Sequence, residues 1–155
     1  MASKKRLQFS TVIEAPVAHV YERMIEPESY QDWTSAFAEG SRFEGSWDEG
    51  ERIRFVGPSG DGIVSEIAEN RPNEFISIRH LGFISNGVED TQSEAVRSWV
   101  PAYENYTFQA VPEGTRLLIE LDVTEAFERE MKESWPKALA RLKALCEGSA
   151  QRSRS

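Results

Sequence analysis

Few side chains in this sequence could carry chemistry, and their neighbours decide what each could do. His80 alternates with Ile76 and Ile78, so it shares a strand face with apolar residues. There an imidazole could act as a hydrogen-bonding or acid/base group in a cavity. It could equally be a core histidine satisfied by a neighbour, or a rim residue at the strand's end. Tyr106 and Glu104 lie on a later strand and could join His80 in a cyclase- or hydrolase-like site, although no acid and base stand at a recognisable spacing. His19 sits between Ala18 and Val20, off the apolar stripe of its helix, and reads as surface. Two distant histidines with no flanking motif support neither a metal site nor a Ser-His-Asp triad. Cys146 is the single cysteine, so neither a disulfide within the chain nor a thiolate cluster can form, and only Lys143 lies near enough to activate it. Arg52 and Arg54 alternate with Ile53 and Phe55. Facing a cavity, they could clasp a carboxylate. Facing solvent, they would pair with Glu66 or Glu51, which is the plainer reading.

The stretch Asn86 to Glu94 holds three acids. It lacks the ligand spacing of a calcium loop. A lid over a cavity mouth and a solvated hairpin both remain open for it. Glycines 57, 60 and 62 follow a strand but precede another strand, with Pro58 between them, so they form no phosphate-binding fingerprint. The aromatic residues are the richest resource: Trp33, Trp47, Phe55, Phe75, Trp99, Tyr103, Tyr106, Phe108, Phe127 and Trp135. They could line a ligand cavity, with Tyr hydroxyls and Trp N–H groups orienting a guest, or simply fill a core.

The elements that must position these groups follow from periodicity. Leu7 to Glu14 alternates as a strand, and Ala15-Pro16 ends it. Val17 to Ile25 is a helix with Val17, Val20, Tyr21 and Met24 on one stripe, and Pro27 opens a second short helix ending at Trp33. Strand-like runs then cover 41–47, 52–56, 63–68, 75–83, 99–111 and 116–123, separated by turns, with 84–96 read as a long hairpin loop. A final helix, about 125–147, carries Phe127, Met131, Trp135, Ala138, Leu139, Leu142 and Leu145 on one side, and Gly148 is placed to end it. Pro136 lies inside this helix and predicts a kink or break near 132–135. Consecutive strands with short turns make an antiparallel sheet, and the long amphipathic helix must lie across it.

Composition sets the outer limits. The chain has 155 residues, with 18 basic and 26 acidic side chains, a net charge of −8. All the acids and only 13 of the bases lie within 7–148, so that span carries −13. Such a surface excludes nucleic acid and an anionic membrane as main partners. No stretch approaches the roughly 20 apolar residues of a membrane helix, and the N-terminus lacks a signal peptide's apolar run. A reducing cytoplasm is the expected location. Residues 1–6 and 149–155 read as disordered tails around one domain at 7–148.

Three stretches carry a family likeness: Ile13-Glu14-Ala15-Pro16-Val17 with Val20-Tyr21, Pro27-Glu28 and Trp33; Gly62-Ile63-Val64-Ser65-Glu66-Ile67 with Arg71-Pro72; and Trp135-Pro136-Lys137-Ala138-Leu139 with Leu142-Lys143 and Leu145. In this order they resemble the SRPBCC superfamily (START-like, Bet v-like). More narrowly, they resemble the branch related to the C-terminal domain of the activator of the heat-shock-protein-90 ATPase. The resemblance implies an α+β helix-grip fold, in which a curved antiparallel sheet of about six or seven strands wraps a long C-terminal helix and encloses a cavity. Members of the superfamily bind lipids, sterols, polyketides or other apolar molecules, and a few are enzymes. No catalytic motif of the family maps onto this sequence. The eukaryotic activator engages the chaperone through a separate N-terminal domain for which this chain has no room. The expected function is therefore binding of a small apolar or amphipathic, lipid-like ligand. Trp33, Ile78, His80, Trp99, Tyr106, Phe108, Phe127, Met131 and Trp135 are its expected cavity residues. No metal or cofactor is expected. The alternatives are a stress-related co-chaperone contacting a chaperone or other protein, and a cyclase or hydrolase using the same cavity. The chain is expected as a monomer or homodimer.

Overall fold

The computed structural model describes residues 4–152. The elements in chain order are β1 (Lys4–Ile13), α1 (Val17–Ile25), α2 (Pro27–Trp33), β2 (Arg42–Gly45), β3 (Arg52–Val56), β4 (Gly62–Arg71), β5 (Phe75–Ser85), β6 (Val88–Asp90), α3 (Glu94–Arg97), β7 (Ala102–Val111), β8 (Gly114–Thr124) and α4 (Glu125–Arg152). A short 3₁₀ turn, Thr34–Ala36, extends α2. The strands form one open antiparallel sheet in the order β1-β8-β7-β5-β4-β3-β2, with β6 paired to the end of β5. This is the expected α+β architecture: two short helices after the first strand and a long C-terminal helix against the sheet.

Alternation puts the larger share of the apolar residues of the long strands on one inner face. Leu117, Ile119, Leu121 and Val123 of β8 are all buried, as are Ile76 and Ile78 of β5. Register then builds rows across strands. One row runs Phe9, Ile119, Tyr106, Ile76. The next runs Leu7, Leu121, Glu104, Ile78, Ile67, so one carboxylate stands in a row of aliphatic residues. α4 lies on the β1–β8 side of this face and also packs against α1 and α2. Trp135, Ala138, Leu139, Leu142 and Cys146 are its buried stripe. The remaining inner face, over β3 and β4, is roofed by side chains of α2 and the turn after it.

Several sequence expectations are corrected. The first strand begins at Lys4, so Lys4, Lys5 and Arg6 are strand residues rather than a tail. They pair in register with Thr124, Val123 and Asp122, and Arg6 binds Asp122 at 3.0 Å. Residues 1–3 and 153–155 of the expected tails lie outside the described residues. α4 runs unbroken through Pro136, whose exposed position leaves the freed carbonyl of Lys132 to water, while Trp135 and Ala138 anchor the helix on either side. It also continues through Gly148 to Arg152, because that glycine does not take the left-handed conformation that closes a helix. The stretch 84–96 is not a plain loop: it holds β6 and α3, the latter capped by Ser93 accepting from the Val96 N–H.

Candidate functional site

Between the uncovered inner face and the α2 turn lies a cavity of about 440 Å³. Its walls come from α2 and the following turn (Tyr30, Trp33, Phe37), from β3 and the loop before it (Phe55, Trp47), from the inner strands (His80, Glu104, Tyr106) and from α4 (Met131, Trp135). Its mouth is formed by Ala38, Ser41 and Arg42 on one side and the β3–β4 turn, 57–62, on the other. The rings interlock mostly edge to face, the favoured arrangement for aromatic quadrupoles. Tyr30 contacts Trp33, Phe43 and Trp47 in this way, with centroids 5.2 to 6.1 Å apart. Large flat side chains meeting edge-on cannot close every gap between a sheet and a helix that covers half of it.

One wall is polar. Ser65 Oγ lies 2.8 Å from His80 Nδ1, and His80 Nε2 lies 3.4 Å from Glu104 Oε1. The Tyr106 hydroxyl donates to Glu104 Oε2. A carboxylate only accepts, so Nε2–H faces Glu104, while Nδ1 meets the Ser65 hydroxyl, which can either donate or accept. Trp99 stacks on His80 at 5.2 Å and on Phe83 at 4.9 Å, holding the imidazole's plane from behind. Burial pushes the Tyr106 phenol well above its ordinary pKa, and the Glu104 charge pushes it further. Tyr30, on the opposite wall, is raised for the same two reasons. Both phenols therefore stay protonated as hydrogen-bonding groups. The indole N–H groups of Trp47 and Trp135 are buried without a partner, whereas Trp33 donates to the Met24 carbonyl at 3.1 Å.

Five of the nine residues expected to line a cavity stand on its wall: Trp33, His80, Tyr106, Met131 and Trp135. The other four do not. Ile78 faces inward but is sealed in the core row beside Ile67. Phe108 is buried further along β7 against Tyr21, with centroids 5.6 Å apart. Trp99 precedes β7 and lies behind His80, its Nε1 donating to the Asp122 carbonyl at 3.3 Å. Phe127 is 45% exposed in the first turn of α4, beyond the edge of what the helix covers. Glu104, a candidate with His80 and Tyr106 for an enzymatic site but not among the nine expected cavity residues, also lines the wall. Its signal was present, since a glutamate two residues before Tyr106 and four before Phe108 falls on their strand face.

The other chemistry-bearing candidates are accounted for elsewhere. Arg52 and Arg54 lie off the cavity and pair with Glu89 of β6, Arg52 at 3.8 Å, rather than with Glu66 or Glu51. Glu66 pairs with Arg79 instead. The 86–94 segment is thus tied to β3; its Asn86 N–H donates to Asp61 at the mouth at 2.9 Å, but none of its residues lines the cavity. Among the described residues no group of three or more His, Cys, Asp or Glu side chains could hold a metal. His19 is half-buried rather than at the surface, with Nε2 unpartnered. Ser65, His80 and Glu104 have the residue types of a hydrolytic triad, but Ser65 is fully buried and off the cavity wall. Its Oγ lies against His80 Nδ1 and is not exposed to the cavity. Burial pushes the Cys146 thiol up to about 12.

A long helix gripped by an antiparallel sheet, with an aromatic cavity between them, defines the helix-grip class of the SRPBCC type. The chain belongs to the family described as Activator of Hsp90 ATPase homolog 1-like protein, whose model matches residues 14–147. Solved structures share the fold at low identity. Protein MLL2253 from Mesorhizobium loti is 16% identical with a TM-score of 0.71, the match covering 91% of this chain and 96% of that one. An uncharacterised protein from Rhizobium leguminosarum is 17% identical with a TM-score of 0.72, covering 95% and 97%. SA2116 from Staphylococcus aureus, of unknown function, is 13% identical with a TM-score of 0.71, covering 97% and 98%. No curated protein sequence matches. The fold is that of a ligand-binding or co-chaperone-like domain, and no described helix is long and apolar enough to cross a membrane.

Proposed function

We propose that the protein binds a small apolar or amphipathic molecule in the cavity between its sheet and its C-terminal helix. The observation that carries this reading is the cavity itself, about 440 Å³ with walls dominated by aromatic rings. That volume falls within the range of small-molecule sites, and the mix of many apolar surfaces with a few convergent polar groups is the usual composition of such sites. A core built only for stability would be packed to crystal-like density. Two unpartnered indole N–H groups in the surrounding rings add support, because a buried donor without an acceptor is costly unless something fills the role. The hydrogen-bonding groups of the polar wall, His80, Glu104 and Tyr106, can orient a guest.

The test is titration with a neutral solvatochromic dye such as Nile red, together with mass spectrometry of small molecules that copurify. Saturable binding at one site per chain is expected. Ala38→Trp, at the mouth, should abolish it while leaving the circular dichroism spectrum unchanged. Absence of saturable binding, or equal binding by the folded variant, would overturn the reading.

A further inference from the structure

The cavity wall carries one charge that its packing role does not explain. Glu104 occupies a position where the strand rows on either side supply Leu121 and Ile78. Its side chain is only 21% exposed. Burying a carboxylate among aliphatic and aromatic groups is costly unless it is paired, and among the described residues no lysine or arginine pairs with it, only the His80 ring at 3.4 Å. Arg42, the one basic residue at the cavity, lies at the mouth and is engaged there by the Gly57 carbonyl at 3.2 Å and Glu44 at 3.4 Å. The other acid at the cavity, Asp61, also lies at the mouth and accepts from the Asn86 N–H at 2.9 Å.

Resting on the ligand-binding reading above, we infer that the cavity selects a cationic amphiphile: a protonated amine on an apolar, ring-bearing body, with its ammonium group set against Glu104. A carboxylate offers about four lone-pair positions, and the Tyr106 hydroxyl and the long His80 contact occupy two. An ammonium can donate to the rest. The rings of Tyr30, Phe55, Tyr106 and Trp135 line the same space, and aromatic faces attract a desolvated cation. The Glu104 charge acts on the phenols of both opposing walls, Tyr30 on α2 and Tyr106 on β7, so its field spans the cavity. The same field excludes a fatty-acid carboxylate, because in a low-dielectric site two like charges without a counterion repel strongly. The net charge of −13 on residues 7–148 favours the approach of cations over anions. The free Trp47 and Trp135 N–H groups add donors for an ether or hydroxyl oxygen elsewhere on the ligand.

The experiment uses the full chain and isothermal titration with three probes that differ only in head group: 1-naphthylmethylamine, 1-naphthylmethanol and 1-naphthoate. The amine should bind about tenfold more tightly than the alcohol, the size of one charge-assisted hydrogen bond, and the carboxylate more weakly than either. Glu104→Gln keeps the side-chain shape and an acceptor for Tyr106. It should erase the advantage of the amine while leaving alcohol binding within about twofold, a change too small to count as a lost interaction. The ranking of the three probes on the unmodified chain tests the inference without any variant. Equal affinities, or tighter binding of the carboxylate, would overturn the cationic preference and leave the cavity reading standing. An amine advantage that survives Glu104→Gln would overturn the role of Glu104. Failure of all three probes to bind would overturn both readings.

Discussion

Trp135 joins the wall of the cavity to the core, and its removal should be among the most damaging single changes in the chain. The indole is 2% exposed. It stacks on Phe9 of β1 at 6.2 Å, meets Phe37 edge-on at 5.1 Å, and lies 6.0 Å from Trp33 and 6.1 Å from Tyr106. It therefore ties α4 to β1 and β7 of the inner face and to the α2 roof. Truncating a buried tryptophan to alanine costs about 3–5 kcal/mol, and aromatic pairs add about 0.5–1.5 kcal/mol each beyond their area. One side of this ring borders a cavity and lacks partner atoms, which lowers the loss. We take about 4 kcal/mol for Trp135→Ala, the middle of the truncation range. For a domain of this size that lowers the melting temperature by about 8–16 °C. Trp135→Phe retains one ring and loses no hydrogen bond, because the indole N–H has no partner; it should cost clearly less than Trp135→Ala, since fewer buried atoms are removed. Thermal melts by circular dichroism and urea titrations with unchanged m-values provide the measurement. A Trp135→Ala protein melting within about 3 °C of the parent would mean a loss near 1 kcal/mol, and the claim that this ring holds the helix to the sheet would fail.

Three further outcomes follow from the same structure. Burial raises Asp122, but the Arg6 side chain at 3.0 Å and the Tyr103 N–H at 2.9 Å outweigh it and hold the carboxyl below the usual range. A group depressed in the fold adds stability above its ordinary pKa of about 3.9 and loses it as pH falls through the folded value. Asp122→Asn should therefore flatten the melting curve's pH dependence below about pH 4, and an unchanged acid limb would contradict the assignment. Tyr30 and Tyr106 are raised by burial and then by Glu104, so their contribution is complete below the ordinary phenol pKa of about 10 and is lost as pH rises through the folded values. Absorbance titration should show a late tyrosinate component that Tyr106→Phe reduces; a single component unaffected by that variant would count against the buried phenols. Cys146, fully buried with its thiol pushed up to about 12, should resist a thiol-specific reagent in the native protein and react fully in denaturant, whereas rapid native labelling would show the α4 end to be open.

The elements were legible in the sequence because they rest on local periodicity. α1 carries the expected bounds, Val17–Ile25, and β3 the expected Arg52–Val56. The failures are where local rules meet neighbours. Lys4 to Arg6 read as a solvated tail until β8 offered them hydrogen bonds and Asp122 offered Arg6 a partner. Pro136 read as a kink or a break; it does not break the helix, which the packing of Trp135 and Ala138 holds across one missing bond on the solvent side.

The site divides along the same line. Alternation alone puts His80 with Ile76 and Ile78, and Glu104 with Tyr106 and Phe108, each pair of groups on one strand face. Periodicity cannot tell which members of a face meet a cavity and which are sealed, because that depends on how far a helix 28 residues long reaches across the sheet. Further along the same strands Phe108 is sealed against Tyr21 of α1 and Ile78 stands beside Ile67, while His80 and Tyr106 meet the open space that α4, on the β1–β8 side, leaves bare. Register between β5 and β7 then brought together Glu104 and His80, 24 positions apart, within 3.4 Å. The sequence determined which residues point inward. Only the tertiary structure decided which of them touch one another and which face the cavity, because those contacts are set by strand register and by the half of the sheet that the helix leaves bare.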